Sequence, residues 1–149
     1  AVPNETTLRG VRSIRADSEQ EGFEVEKVID GDPATMWHTT WGELAAGFPH
    51  ELVIELDAPT HLAGITVLPR QDDNRNGWIK DYEVYASADG KNWQQPVARG
   101  AFTADHNLKT AKFAAAVQAH FIRLVALSGH AKGPWASVAE FNVLVAGAP

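Results

Sequence analysis

The chain has 149 residues, 44% apolar and 21% charged, with a net charge of −6 and no cysteine. That balance suits one globular domain able to bury its own core, and it rules out disulfide staples, thiolate metal sites and cysteine nucleophiles. The acidic charge opposes general nucleic-acid binding, and no apolar run approaches the roughly 18 residues of a membrane-spanning helix.

In chain order, the first residues, "AVPNETT", lack the apolar core of a signal peptide and read as a linker remnant, as does "AGAP" at the other end. Either a signal has been removed or the segment was cut from a larger protein, leaving one module over 1–149 with a core of about 8–146. "LRGVRSIRA" at 8–16 is a weak strand candidate. "EVEKVID" at 24–30 fits one short turn of helix before an acidic loop. "ELVIELD" at 51–57, "LAGITVLP" at 62–69 and "IKDYEVYAS" at 79–87 carry the β-branched and aromatic residues of strands. "HFIRLVAL" at 120–127 and "SVAEFNVLV" at 137–145 do the same, and "AKFAA" at 111–115 does so weakly. Turn signals fall between them: "DAPT" at 57–60, "DDNRNG" at 72–77 and "SADGKNW" at 87–93, where Asp89-Gly90 is a hairpin signal. No long amphipathic helix is present. Many short strands divided by Gly, Pro and Asp turns predict an all-β sandwich or jelly roll.

Five tryptophans are many for this length: Trp37, Trp41, Trp78, Trp93 and Trp135. Two of them, with His38, crowd into "TMWHTTW" directly after the acidic turn "DGDPA". Asp30, Asp32 and Thr35 in "KVIDGDPAT" offer oxygens of the kind a hard cation takes. The same residues equally suit a solvated turn whose aspartates cap their own backbone. An EF-hand is excluded, because the twelfth position from Asp30 is Trp41. Glu140 stands in the apolar strand "SVAEFNV", where an unpaired carboxylate is costly, so either a cation or a hydrogen-bond cage must meet it.

Read together, "VIDGDPATMWHT", "PHELVIEL", "LPRQDDNRNGWIKDYEVYASADGKNW" and "GPWASVAEFNV" resemble the F5/8 type C (discoidin-like) superfamily. Within it the chain is similar to family 32 carbohydrate-binding modules, the galactose-binding domains attached to bacterial sialidases and other glycosidases. The likeness runs in order over residues 10–146. It implies an antiparallel β-sandwich jelly roll with a structural Ca²⁺ beside the sugar-binding loops. The ion would take side-chain oxygens from Asp30 and Glu140, carbonyls from Lys27, Asp32 and Ala139, and backbone or hydroxyl oxygen from Thr35. The sugar contacts implied are His38 and Arg70 on the axial O4 and its neighbour, Asn76 as amide donor and acceptor, and Trp41 and Trp135 as aromatic walls. Glu19 accepts from a further hydroxyl. Asn74 competes with Asn76, and Glu21 with Glu19. Trp37 is expected in the core. Trp78 either extends the site to a second sugar or packs inward.

Each residue alone has a plainer reading: a satisfied histidine, core tryptophans, an Arg70 paired with Asp72 or Asp73. The remaining histidines (His50, His61, His106, His120, His130) read as ordinary packing or surface residues. No catalytic motif stands out. "HELVI" at 50–54 begins like a zinc-protease motif and fails at Ile54, and there is no nucleophile elbow or P-loop. The resemblance therefore implies a non-catalytic module for galactose- or N-acetylgalactosamine-containing glycans. Its setting would be a secreted or cell-surface bacterial protein, tethered to a catalytic domain, without membrane insertion. The rival implied by the same superfamily is a domain binding a lipid headgroup or a protein partner.

Overall fold

The computed structural model describes residues 5–6 and 10–146. Among them lie nine strands: β1 (Glu5–Thr6), β2 (Val11–Ala16), β3 (Trp37–His38), β4 (His50–Leu68), β5 (Asp81–Ser87), β6 (Ala98–Ala101), β7 (Lys109–Ala126), β8 (Ser137–Val138) and β9 (Glu140–Val145). The helix expected at 24–30 is a 3-10 turn over Val25–Ile29. No helix among the described residues is long and apolar enough to cross a membrane.

The pairing is antiparallel throughout and is organised by the two longest strands. The first half of β4 pairs with β2 on one side and with the second half of β7 on the other, and β7 passes the ladder on to β5 and β6. The second half of β4 pairs with the first half of β7 and with β9, which carries β1 at its edge. Register shifts between Glu55 and Thr60 mark the crossing from one layer to the other. Leu52, Ile54 and Leu56 from one half of β4 meet Leu62, Ile65 and Val67 from the other, with Trp37, Val84, Ile122 and Phe141, in one buried core. Full burial of each such side chain contributes on the order of 1.5–3 kcal/mol.

Several expectations differ in detail. The "DAPT" signal at 57–60 is not a chain reversal, because Asp57–Pro59 are the exposed residues of a bulge and the strand runs on. Residues 111–115 and 120–127 likewise belong to one strand. Glu5–Thr6, read as linker, pair with β9; residues 8–9 lie outside those described. Asp89 Oδ1 accepts from the Lys91 and Asn92 amides at 2.8 and 2.9 Å, folding a longer loop into β6 rather than a two-residue hairpin.

Candidate functional site

β3 and β8 form a two-stranded ribbon, with Trp37 opposite Val138 and His38 opposite Ser137. Neighbouring strand residues point to opposite faces. Trp37 accordingly enters the core, 1% exposed, its Nε1 donating to the Ser18 carbonyl at 2.9 Å. His38 faces a cavity of about 300 Å³, lined by Phe23, His38, Trp41, Gly42, Arg70, Asn74, Asn76 and Trp135. The cavity thus joins four segments distant in the chain: the loop after β2 that carries Phe23, β3 with the arm after it, the loop between β4 and β5, and the residues leading into β8.

His38 Nδ1 donates to the Thr39 carbonyl at 2.6 Å. In the neutral ring this leaves Nε2 as a bare acceptor. Burial lowers the pKa of His38, and the nearby Arg70 cation lowers it further, so the ring is neutral at pH 7.

Arg70 and its candidate ion-pair partner occupy the same site. Nε and Nη2 each bond a separate oxygen of Asp72 at 2.8 Å, and Nη1 donates to the Asn76 carbonyl at 3.1 Å. A guanidinium has five N–H donors. Three are engaged, leaving one hydrogen on each terminal nitrogen beside the cavity. The bond to Arg70, helped by backbone amides, holds the Asp72 carboxyl below its ordinary pKa, so the brace stays ionised.

Asn74 and Asn76 both line the cavity but differ in commitment. Asn74 Oδ1 accepts from the Asn76 amide at 2.8 Å, closing an Asx turn. The Asn76 carbonyl takes Arg70 Nη1 and Ser137 Oγ. Among the described residues the Asn76 side-chain amide has no partner, which makes it the freer of the two. Gly77, at φ +92°, lets the loop lie on β8: a Cβ there would stand 2.4 Å from Ser137 Oγ.

Trp41 is 41% exposed and meets Phe23 and His38 edge-on, with ring centroids at 5.3 and 5.0 Å. Trp135 forms the other wall, 6.2 Å from His38 between centroids. Gly133, at φ +130°, lies flat against this indole, so that a Cβ would approach Cζ3 to 2.3 Å. One face of Trp135 is therefore covered by backbone. Gly133→Ala must displace the indole. We expect about tenfold weaker ligand binding by calorimetry, together with a clearly lowered melting temperature, because a side chain at φ +130° is strained as well as crowded.

The structure places Glu19 and Glu21 outside the cavity lining and closes the question of Trp78. Glu19 does not line the cavity. Its carboxylate lies by the Val25 amide with Glu24 and Glu26, and burial and then those acids raise its pKa. Glu19 serves the site only through its carbonyl, which accepts from Thr40 Oγ1 at 3.3 Å. Glu21 does not line it either. Trp78, left open above, is a packing residue: it is 2% exposed, and its Nε1 donates to the Arg70 carbonyl at 3.2 Å. Phe23 was missed, although an aromatic in the acidic, glycine-bearing stretch "EQEGFEVE" is a legible signal of an exposed ring.

Beside the cavity, the acidic turn and β9 meet. Asp30 Oδ1 accepts from the Asp32 amide at 2.8 Å, Asp32 Oδ1 from the Ala34 amide at 2.9 Å, and Thr35 Oγ1 lies against Asp30 Oδ2 and the Asp32 carbonyl. Glu140 reaches this turn. Burial, then the carboxylates of Asp30 and Asp32, push its pKa up to about 7 against the Gly31 amide, and its Oε1 is buried without a partner. For Asp30, burial acts upward, but Thr35 and the turn's amides outweigh it and lower its pKa. No cluster of three or more His, Asp or Glu side chains among the described residues is arranged to hold a metal. The turn offers instead two carboxylates, a hydroxyl and carbonyls, the all-oxygen set that a hard cation takes. An orphaned carboxylate oxygen facing a second carboxylate is the gap such a cation fits.

The family model described as "F5/8 type C domain" matches residues 13–141. A galactose oxidase of Gibberella zeae is 43% identical over 137 residues, 90% of this chain, which spans only 20% of that protein's length. Among solved structures, the family 32 module of NanJ from Clostridium perfringens, in complex with galactose, superposes with a TM-score of 0.78 at 31% identity, covering 88% of this chain and 91% of that one. CpGH89CBM32-5 from Clostridium perfringens, in complex with GalNAc-β-1,3-galactose, gives 0.81 at 33%, covering 89% and 94%.

Proposed function

The chain belongs to the F5/8 type C domain family, and from that premise we propose that this carbohydrate-binding module takes terminal galactose or N-acetylgalactosamine in the cavity between Trp41 and Trp135. The single observation that carries the reading is the convergence of a bare imidazole acceptor, two free guanidinium hydrogens and two indoles on one cavity rim.

Each group has a distinct task. Galactose, with its axial O4, gathers C–H bonds on one ring face, and an indole covers such a face while its edge stays wet. Trp41 supplies that surface. Arg70 donates to O4 and its neighbour, held rigid by Asp72. His38 Nε2 accepts from a hydroxyl, and Asn76 both donates and accepts. A shallow stack with three or four solvent-competed hydrogen bonds nets about 4–6 kcal/mol, a Kd on the order of 1 mM to 50 μM. Such affinity becomes useful when tethered, so the reading places the module in an extracellular glycan-active protein, where effective concentration adds avidity.

A hard cation would be held by Asp30 and Glu140, with carbonyls from Lys27, Asp32 and Ala139 and oxygen from Thr35. When bound, Ca²⁺ supplies charge neutralisation and a cross-link, with no reaction. The chain's own residues explain why that matters: the turn leads into Trp37–His38, and Glu140 follows the segment that carries Trp135.

Calorimetric titration tests the sugar reading. Galactose should bind in the range above and glucose, whose O4 is equatorial, at least about tenfold more weakly. Equal affinity for both would sink the assignment. Capture by anionic liposomes, opposed by the −6 charge, would favour the lipid-headgroup rival instead. Galactose affinity should fall on the acid side of about pH 6.5, as His38 gains a proton on Nε2 beside Arg70.

A further inference from the structure

His50 opens β4 behind the Trp135 wall, 1% exposed and outside the cavity lining. Its Nδ1 lies 2.7 Å from Asp17 Oδ2, and its Nε2 bonds the Pro134 carbonyl. A carboxylate and a carbonyl can only accept, so both ring nitrogens donate and the ring is an imidazolium. Burial opposes that charge, but Asp17 and the Pro134 carbonyl outweigh it and raise the pKa.

The two acceptors belong to different arms of the cavity. Asp17 begins the segment that holds the Trp41 arm. There Ser18 Oγ accepts from the Thr40 amide at 3.2 Å, Gln20 Oε1 from the Trp41 amide at 3.1 Å, and the Gln20 amide donates to the His38 carbonyl at 2.9 Å. Pro134 directly precedes Trp135. We infer that His50 is a positioning residue, bridging these two arms and so setting the gap between the Trp41 and Trp135 walls. The inference rests on the sugar-binding reading only for its effect on affinity.

Around the ring, the loop after β2 presents Asp17, β3 presents His38, and β7 presents Ala126 opposite His50, while the Arg15–Glu51 pair of β2 and β4 lies on the opposite face of the strand. Losing a proton leaves one nitrogen lone pair facing either the Asp17 carboxylate or the Pro134 carbonyl, so one arm is released. Since the pKa is raised, the bridge is complete on the acid side of the ordinary histidine range and is lost as the pH rises through the raised value.

The test uses the unmutated chain from pH 6.5 to 9.5, on the alkaline side of the His38 change, following the Trp135 indole N–H by NMR (assigned with Trp135→Phe) and galactose affinity by calorimetry. The indole resonance and the affinity should move with one midpoint above about 6.5, affinity weakening about three- to tenfold, the worth of one hydrogen bond. Asp17→Asn should lower that midpoint. A Trp135 resonance and a Kd that stay flat across the range overturn the inference, as does a folded His50→Gln variant with the parent's affinity and pH profile. Should galactose fail to bind at every pH while the indole still titrates, the sugar reading falls and the bridge stands.

Discussion

Arg70→Ala is expected to abolish retention on immobilised galactose. Each hydrogen bond from a charged donor to a sugar hydroxyl is worth about 1.5–3 kcal/mol, and two such bonds are lost. The affinity therefore drops roughly 10²- to 10⁴-fold, which takes a weak module out of measurable range. The fold should survive, because the abandoned Asp72 side chain is 50% exposed and regains water; the melting temperature should shift by only a few degrees. Arg70→Lys should fail almost as completely. It keeps the charge but loses the rigid fork that grips Asp72 through Nε and Nη2 while presenting one hydrogen each from Nη1 and Nη2 to the ligand. Calorimetry with galactose on both variants decides the matter, and parent-like affinity in Arg70→Ala would remove the central donor of the site.

The second large effect concerns stability. In metal-free protein the folded-state pKa of Glu140, about 7, lies above its ordinary value of 4.5. The folded state then binds more protons than the unfolded one between those values. Stability from this group is full below pH 4.5 and is lost as the pH rises through 7. A cation reverses the sign by requiring the ionised carboxylate, and its binding releases the proton. Ca²⁺ at a hundredfold excess over its Kd should add about 2.7 kcal/mol, or roughly 5–10 °C of melting temperature at pH 7.5, with a smaller gain at pH 5. Glu140→Gln should erase the Ca²⁺ response and, in EDTA, melt above the parent at pH 7.5, because the like-charged pair with Asp30 is gone. Differential scanning calorimetry in EDTA and in Ca²⁺ distinguishes these outcomes. A parent protein whose melting is indifferent to both would leave the turn as a self-capped loop.

The strands were legible where side-chain alternation is strong, as in 79–87 and 137–145. They were misdivided where a local turn signature lost to tertiary pairing. Asp57–Pro59 look like a reversal, yet the ladder from Thr60 to β7 resumes beyond them. The strands Trp37–His38 and Ala98–Ala101 are too short to announce themselves by periodicity. In the site, His38, Arg70 and the tryptophans could be placed by resemblance, but the division of labour could not. Which asparagine is spent on an Asx turn, and which tryptophan is sealed by Arg70's carbonyl, depends on loop geometry that no spacing encodes. Glu19 went astray for a physical reason: its carboxylate turns to the Val25 amide at the start of the 3-10 turn rather than to the cavity. His50 looked ordinary because its importance lies in what its two neighbours are attached to.

The 19-residue β4 and the 18-residue β7 pair with each other on both sides of the Glu55–Thr60 shift, so one ladder runs through both layers. Among the described residues no seam lies between these strands along which one layer could peel from the other while that ladder stays whole. Breathing motions of the kind that let a two-piece protein clamp a guest are thereby denied to the scaffold. Deuterium uptake along 50–56 and 121–126 should accordingly keep pace with that along 62–68 and 109–117, all limited by complete unfolding.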